Sequence, residues 1–165
     1  MTNRFLLAST LAVLASILSA QAQSHGKTPA DIPCRLLKIL NANRIICRPI
    51  ARGSALPFTV VIWGLEPAPG KSQRVAAAQT IAALAKEGPF DVMPRSIAAS
   101  TQVVSGDVNV QPAANSHQKP RSLAYILVRR GLCSVRLPSG KPTPSDRNLL
   151  EAQRASKRDH AGMWR

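Results

Sequence analysis

Acidic side chains are scarce in this chain: eight Asp and Glu stand against 22 Lys and Arg, a formal net charge of +14 at pH 7. An excess of that sign favours polyanions, because each neutralised anionic group releases a counterion. Nucleic acid, anionic lipid headgroups and acidic cell-surface polymers all qualify, and charge alone does not choose among them. Aromatics are few as well, with one Tyr, two Trp and three Phe, one of these at Phe5. So small a set leaves little for stacking successive bases, and Tyr125, inside an apolar helical run, reads as core. Histidine is limited to His25, His117 and His160, in polar or terminal stretches without ligand spacing to the cysteines, which argues against a zinc site. Neither a glycine-rich phosphate cradle nor a Ser or Cys nucleophile in a recognisable setting is present.

Long apolar runs are confined to the N-terminus. One early charge at Arg4, the apolar stretch Phe5 to Leu18 and the small residues of Ala20-Gln-Ala22 make the three parts of a secretory signal, with cleavage expected after Ala22. The run is shorter than the roughly 20 residues a membrane span requires, and none like it follows. The remainder is expected to be exported, to the periplasm or the medium, and is long enough for one domain with one core. In such a compartment Cys34, Cys47 and Cys133 allow at most one internal disulfide. Three pairings exist. Cys34 and Cys47 on the arms of a hairpin turning near Asn41 to Arg44 would be several residues out of register, so the reading leans toward Cys133 pairing with one of them.

Residues 23–33 hold Gly, two Pro and polar residues without periodicity and read as a flexible lead-in, with order from Cys34 and a single domain over 34–165. Cys34 to Leu40 and Ile45 to Arg48 read as two strands joined by Asn41-Ala-Asn-Arg44, whose Asn residues tolerate the positive φ of a hairpin turn. A third strand follows over 58–65, rich in β-branched residues and closed by Gly64 and a proline-broken turn. Three consecutive strands imply an antiparallel meander. The alanine-rich stretch 71–87 predicts a helix stopped by Gly88, with Val75, Ala78, Ile81, Ala82, Leu84 and Ala85 on its apolar face. Residues 90–97 and 101–110 predict two more strands. A short helix opens at Ser122, with basic residues in its last turn and Gly131 beyond. A brief extended piece spans 132–137, and a last helix is expected to be capped by Ser145. That helix carries Arg147, Arg154, Lys157 and Arg158 on what reads as a solvated face. The predicted class is α+β, mainly β: five strands with one long helix between the third and fourth and two helices at the end, the layout of an OB-type barrel.

Three segments in order resemble motifs of the thermonuclease (staphylococcal-nuclease-like) family. Val61-Ile-Trp-Gly-Leu-Glu-Pro-Ala-Pro69 is similar to its Arg-Leu-x-Gly-Ile-Asp-x-Pro-Glu, and Leu127-Val-Arg-Arg-Gly-Leu-Cys-Ser-Val135 to its Leu-Val-x-x-Gly-Leu-Ala-x-Val. Glu151-Ala-Gln-Arg-Ala-Ser-Lys-Arg-Asp-His-Ala-Gly-Met-Trp164 resembles its closing Glu-x-x-Ala to Gly-(Ile/Leu)-Trp. The resemblance covers roughly 34–164. In that family two aspartates hold Ca²⁺, a glutamate aims water at phosphorus, and two arginines stabilise the transition state.

What the resemblance implies for those positions is loss. The aspartate of Asp-Gly-Asp-Thr becomes Asn43 with Arg44 beside it, the second becomes Glu66, and the glutamate becomes Pro69. The first arginine becomes Val61, and the second, from a Tyr-Gly-Arg run before the fifth strand, falls on Val103 or its neighbours. Proline cannot take a proton and valine cannot bind a phosphate oxygen. Arg44, Arg95, Lys119 and Arg121 remain as candidates to bind an anion. The family includes degenerate domains that keep the fold as scaffolds, so the expectation is an inactive exported barrel that binds an anionic partner, without a cofactor. The alternative is a metal-dependent nuclease with a site rebuilt around Glu66 and loop arginines, which would need Ca²⁺. A lipid or cell-wall binder is a third possibility.

Overall fold

Strand β1 (Ile32–Asn41) runs antiparallel to β2 (Arg44–Pro49), and β2 to β3 (Phe58–Ile62), the expected meander. Alternation drives it: Ile45 and Cys47, then Val60 and Ile62, point into the core while their neighbours point out. The computed structural model describes residues 30–50, 56–112 and 118–165; the expected leader over 1–22, residues 23–29 of the lead-in, and His25 and His117 lie outside them. Order starts earlier than Cys34, because Ile32 and Pro33 already pair with Val92 and Asp91.

The hairpin turn forms where expected but by another device. Neither Ala42 nor Asn43 has a positive φ; instead the Asn41 side chain accepts a hydrogen bond from the Asn43 amide at 3.0 Å, and Ala42 is buried. The third strand is shorter than 58–65. Gly64 takes φ +72° and turns the chain, so Leu65–Pro67 becomes a separate strand β4 paired with β8 (Cys133–Val135).

Helix α1 (Lys71–Glu87) leads to β5 (Phe90–Ala98) and, after a short 3₁₀ turn, to β6 (Val103–Val110). Its buried face is Ala77, Thr80, Ile81 and Leu84, whereas Val75 is exposed. Ile81 and Leu84 are buried as expected, but Ala77 and Thr80 take the place of Val75, Ala78 and Ala82 on the inward face, because alanine on every side lets the helix rotate at little cost. Strand β6 pairs antiparallel with β5 and parallel with β3, and β5 pairs with β1, so five strands close in the order β1-β2-β3-β6-β5. This is an OB-like α+β fold: among the described residues, a closed mixed barrel with three α-helices.

A two-residue strand β7 (Arg121–Ser122) extends the sheet beside β6 and runs straight into α2 (Leu123–Arg129), where Ser122 caps by accepting from the Tyr125 amide. Leu123, Leu127 and Val128 close the barrel core with Phe90, Val92 and Val108, all within 1% of full burial. Full burial of each large side chain is worth about 1.5–3 kcal/mol. Tyr125, expected in that core, is 43% exposed, on the outer side of α2. Helix α3 (Pro144–Arg158) is capped by Thr143, not Ser145: Thr143 accepts from the Asp146 amide while the Asp146 carboxylate accepts from the Thr143 amide, with Pro144 at the first helical position.

The two C-terminal motif glycines meet. Gly131 (φ +65°) follows α2, Gly162 (φ +56°) opens the last 3₁₀ turn, and the Met163 amide donates to the Gly131 carbonyl at 2.9 Å. A Cβ on Gly131 would sit 2.0 Å from the Ala161 carbonyl oxygen, and one on Gly162 2.3 Å from that of Gly131. Two backbones touch here, and no side chain fits.

All three cysteines are buried free thiols. An uninterrupted ladder from the turn would set Cys47 opposite Lys38, but two β-bulges in β1 set it opposite Leu36, two residues from Cys34. Cys34 and Cys47 are therefore diagonal neighbours on the inner face, and the Cys34 thiol is held far above its usual range by a hydrogen bond with Cys47, then by burial. Cys133 lies elsewhere, against the Ala42 carbonyl at 4.0 Å, and burial pushes its thiol up to about 12. The leaning toward a Cys133 bridge is thus overturned by register.

Candidate functional site

Of the positions singled out by the family resemblance, Asn43 and Val61 lie at the closed end of the first hairpin with Glu66 one residue from an Asn43 contact, while Pro69 and Val103 lie farther along the chain. The Asn43 carbonyl accepts from the Ile62 amide at 2.9 Å, and its side-chain amide donates to the Leu65 carbonyl at 3.0 Å. That bond needs a donor, which a carboxylate at neutral pH lacks. Asn43 thus fastens the turn to the chain one residue before Glu66. Glu66 itself is exposed on β4 and pairs with Arg136 at 3.1 Å. Val61 lies between Arg44 on β2 and Ser105 on β6, Pro69 is exposed beyond β4, and Val103 opens β6 opposite Thr59. Immediately before Val103, Gln102 adopts φ +51°, a backbone position that favours glycine.

The nominated cations do not converge with Glu66. Arg95 is the extra residue of a bulge between Pro94 and Ser96 in β5, and its guanidinium is saturated. It binds Asp107 with Nε at 2.9 Å and Nη2 at 3.2 Å, reaches Asp146 at 3.1 Å, and stacks 4.7 Å over the Trp63 ring. The Trp63 indole donates to the same Asp146 at 3.1 Å. Burial opposes both charges, yet the hydrogen bonds to Asp107 and Asp146 leave Arg95 more firmly protonated than usual. Burial would likewise raise Asp146, but the hydroxyl and amide of Thr143, then Arg95, hold it below the ordinary carboxylate range. This cluster ties the N-terminus of α3 to β5, β6 and the end of β3. Sequence reasoning missed it, although the Thr143-x-x-Asp146 spacing was a readable capping signal.

Arg121 pairs with Glu87 at the end of α1, and Lys119 lies in the exposed stretch before β7. Arg121 also borders a cleft of about 290 Å³ between α2 and α3, walled by Tyr125, Ile126 and Leu149. Among the described residues no three His, Cys, Asp or Glu side chains gather as a metal site requires, and no helix is long and apolar enough to cross a membrane.

Arg44 belongs to a different setting. Between Asp31 and Glu66 the sequence contains no acidic residue but has Arg35, Lys38, Arg44, Arg48 and Arg52. Four of these lie on β1 and β2, all exposed, and Arg35 is directly opposite Arg48 across the strands. Among the described residues none of the four has a carboxylate partner, whereas Arg95, Arg121, Arg129, Arg136 and Arg158 each do.

Together these features define a class: an OB-like barrel whose carboxylate-paired arginines lie at Arg95 and beyond, with an acid-free basic hairpin before them. No family model matches the chain, and no curated protein matches it.

Proposed function

We propose that this chain is an exported, thermonuclease-like barrel without the family's catalysis, serving as a binding or structural module for an anionic partner. The observation that carries the reading is Asn43, whose amide is spent on the Leu65 carbonyl where the resemblance sets a metal-binding carboxylate. Three further features support the ancestry. Gly64 makes the turn within the first motif, Gly131 and Gly162 of the other two close on one another, and Gln102 takes a glycine-like conformation before Val103, as the Tyr-Gly-Arg run would.

The chemistry lacks its parts. A single lost transition-state donor costs about 2.7–4 kcal/mol of barrier, and Val61, Val103 and Pro69 remove two cations and the base together, even though such effects do not add linearly. The remaining carboxylate, Glu66, is occupied by Arg136. The unpaired cations on β1 and β2 supply the attraction for a polyanion instead.

Incubating the purified protein with single-stranded DNA and Ca²⁺, Mg²⁺ or Mn²⁺ is expected to leave the DNA intact. Chelator-sensitive cleavage that disappears in Glu66→Gln would establish the rebuilt nuclease and overturn this reading.

A further inference from the structure

The first hairpin exposes more than charge. The extra residues of the two bulges in β1 are Leu37 and Leu40, each 46% exposed, and Ile50 just beyond β2 is 42% exposed. A bulge re-aims a side chain, and here each sets a leucine outward on a strand of cations: Arg35, Leu37, Lys38 and Leu40 are all exposed, while Leu36 and Ile39 pack against the core. Like charges directly opposite destabilise a ladder, so the Arg35 and Arg48 pair calls for an anion from outside.

We infer that the outer face of β1 and β2 docks on an anionic lipid surface, with Arg35, Lys38, Arg44 and Arg48 at the phosphate headgroups and Leu37, Leu40 and Ile50 entering the acyl boundary. The inference rests on the anionic-partner reading and names the partner. Aliphatic side chains interleaved with cations suit a lipid interface, where buried apolar area and headgroup attraction add. A single-stranded nucleic acid would ask for aromatic platforms, and the hairpin, residues 32–50, has none. Among the described residues the exposed large aromatic, Tyr125, lies on α2.

The test is co-sedimentation of the chain from Gln23 onward, which contains every described element, with vesicles of phosphatidylglycerol and phosphatidylcholine or of phosphatidylcholine alone. Heparin and single-stranded DNA serve as parallel polyanions, and circular dichroism checks each variant's fold. Partitioning is expected on the anionic vesicles and not on the neutral ones. Arg35→Gln with Arg48→Gln should weaken it about 25-fold, at roughly fivefold per charge near the surface. Leu37→Ser with Leu40→Ser should weaken vesicle binding about fivefold and leave heparin binding unchanged. Arg147→Gln with Arg154→Gln on α3, which removes the same charge, should have little effect. An equal loss from the α3 variant overturns the hairpin assignment. Heparin or DNA binding without vesicle binding overturns the lipid assignment and leaves the anionic-partner reading standing. Failure to bind any of them overturns both. Should the leucine variant misfold, the arginine pair against its α3 control still decides.

Discussion

Arg95 and Arg35 are both strand arginines of one barrel, and their surroundings are opposite. Arg95 sits 19% exposed among Asp107, Asp146, Thr143 and the Trp63 ring, with all three guanidinium nitrogens engaged. Arg35 stands in solvent across from Arg48, in a stretch that lacks any acidic side chain. One arginine builds the fold, holding α3 against β5 and β6. The other faces a like charge across the ladder, which costs the fold a little, and it is the kind of cation that the proposed anionic partner would use. A net charge therefore says less than its distribution: the carboxylates after β4 lie among cations they can pair with, whereas β1 and β2 carry four cations on a stretch with no acidic residue between Asp31 and Glu66.

The comparison can be broken from either side. The largest effect falls on the C-terminal half, where Gly131→Ala forces a left-handed backbone onto a residue with a Cβ and drives that Cβ into the Ala161 carbonyl. A loss of about 3 kcal/mol or more is expected, seen as a lower midpoint in urea or heat.

Next, Asp146→Ala leaves Arg95, the Trp63 indole and the cap of α3 short of an acceptor and should cost about 2–3 kcal/mol, less than the figure for a fully buried pair because Arg95 is partly solvated. The same residue sets a pH dependence. Its folded pKa is depressed, so its contribution is complete above the ordinary aspartate value of about 3.9 and is lost as pH falls below that value through the folded one. Asp146→Asn should flatten acid unfolding in that window, measured by circular dichroism against pH.

Asn43→Asp, which restores the side chain the resemblance would set there, should destabilise by about 1–3 kcal/mol, because a carboxylate would face the Leu65 carbonyl. A gain in stability on adding Ca²⁺ to that variant would show that the metal site is closer to intact than Glu66 and its Arg136 partner suggest. Smallest of all, Arg35→Gln with Arg48→Gln should leave thermal stability within about 0.5 kcal/mol or raise it.

Much of the fold was legible because strands and helices announce themselves locally. β-Branched runs gave the barrel strands, the alanine block gave α1, and Ser122 marked the start of α2. What failed was whatever depends on a single residue of offset. The bulges at Leu37 and Leu40 are invisible to a period of two, and they moved Cys47 toward Cys34 and turned two leucines outward. Thr143 and Ser145 both offer a hydroxyl at the start of α3, and the position of Asp146, three residues after Thr143, decides between them. The candidate site was half legible. The identities of Asn43, Val61 and Pro69 could be compared directly with the motif they resemble, but whether a cation is free depends on partners far along the chain. Nothing near Arg95 in sequence announces Asp107 or Asp146, and nothing near Arg121 announces Glu87.

The central claim, that the unpaired cations of β1 and β2 carry the anionic partner, is tested most directly by the salt dependence of heparin binding. The logarithm of affinity should fall linearly with the logarithm of salt concentration, and Arg35→Gln with Arg48→Gln should make the slope shallower by roughly two counterions' worth. Arg121→Gln with Arg136→Gln, which removes two arginines already held by Glu87 and Glu66, should leave the slope nearly unchanged. Equal slopes for the wild type and the hairpin variant, or a larger change from the paired arginines, would contradict the account.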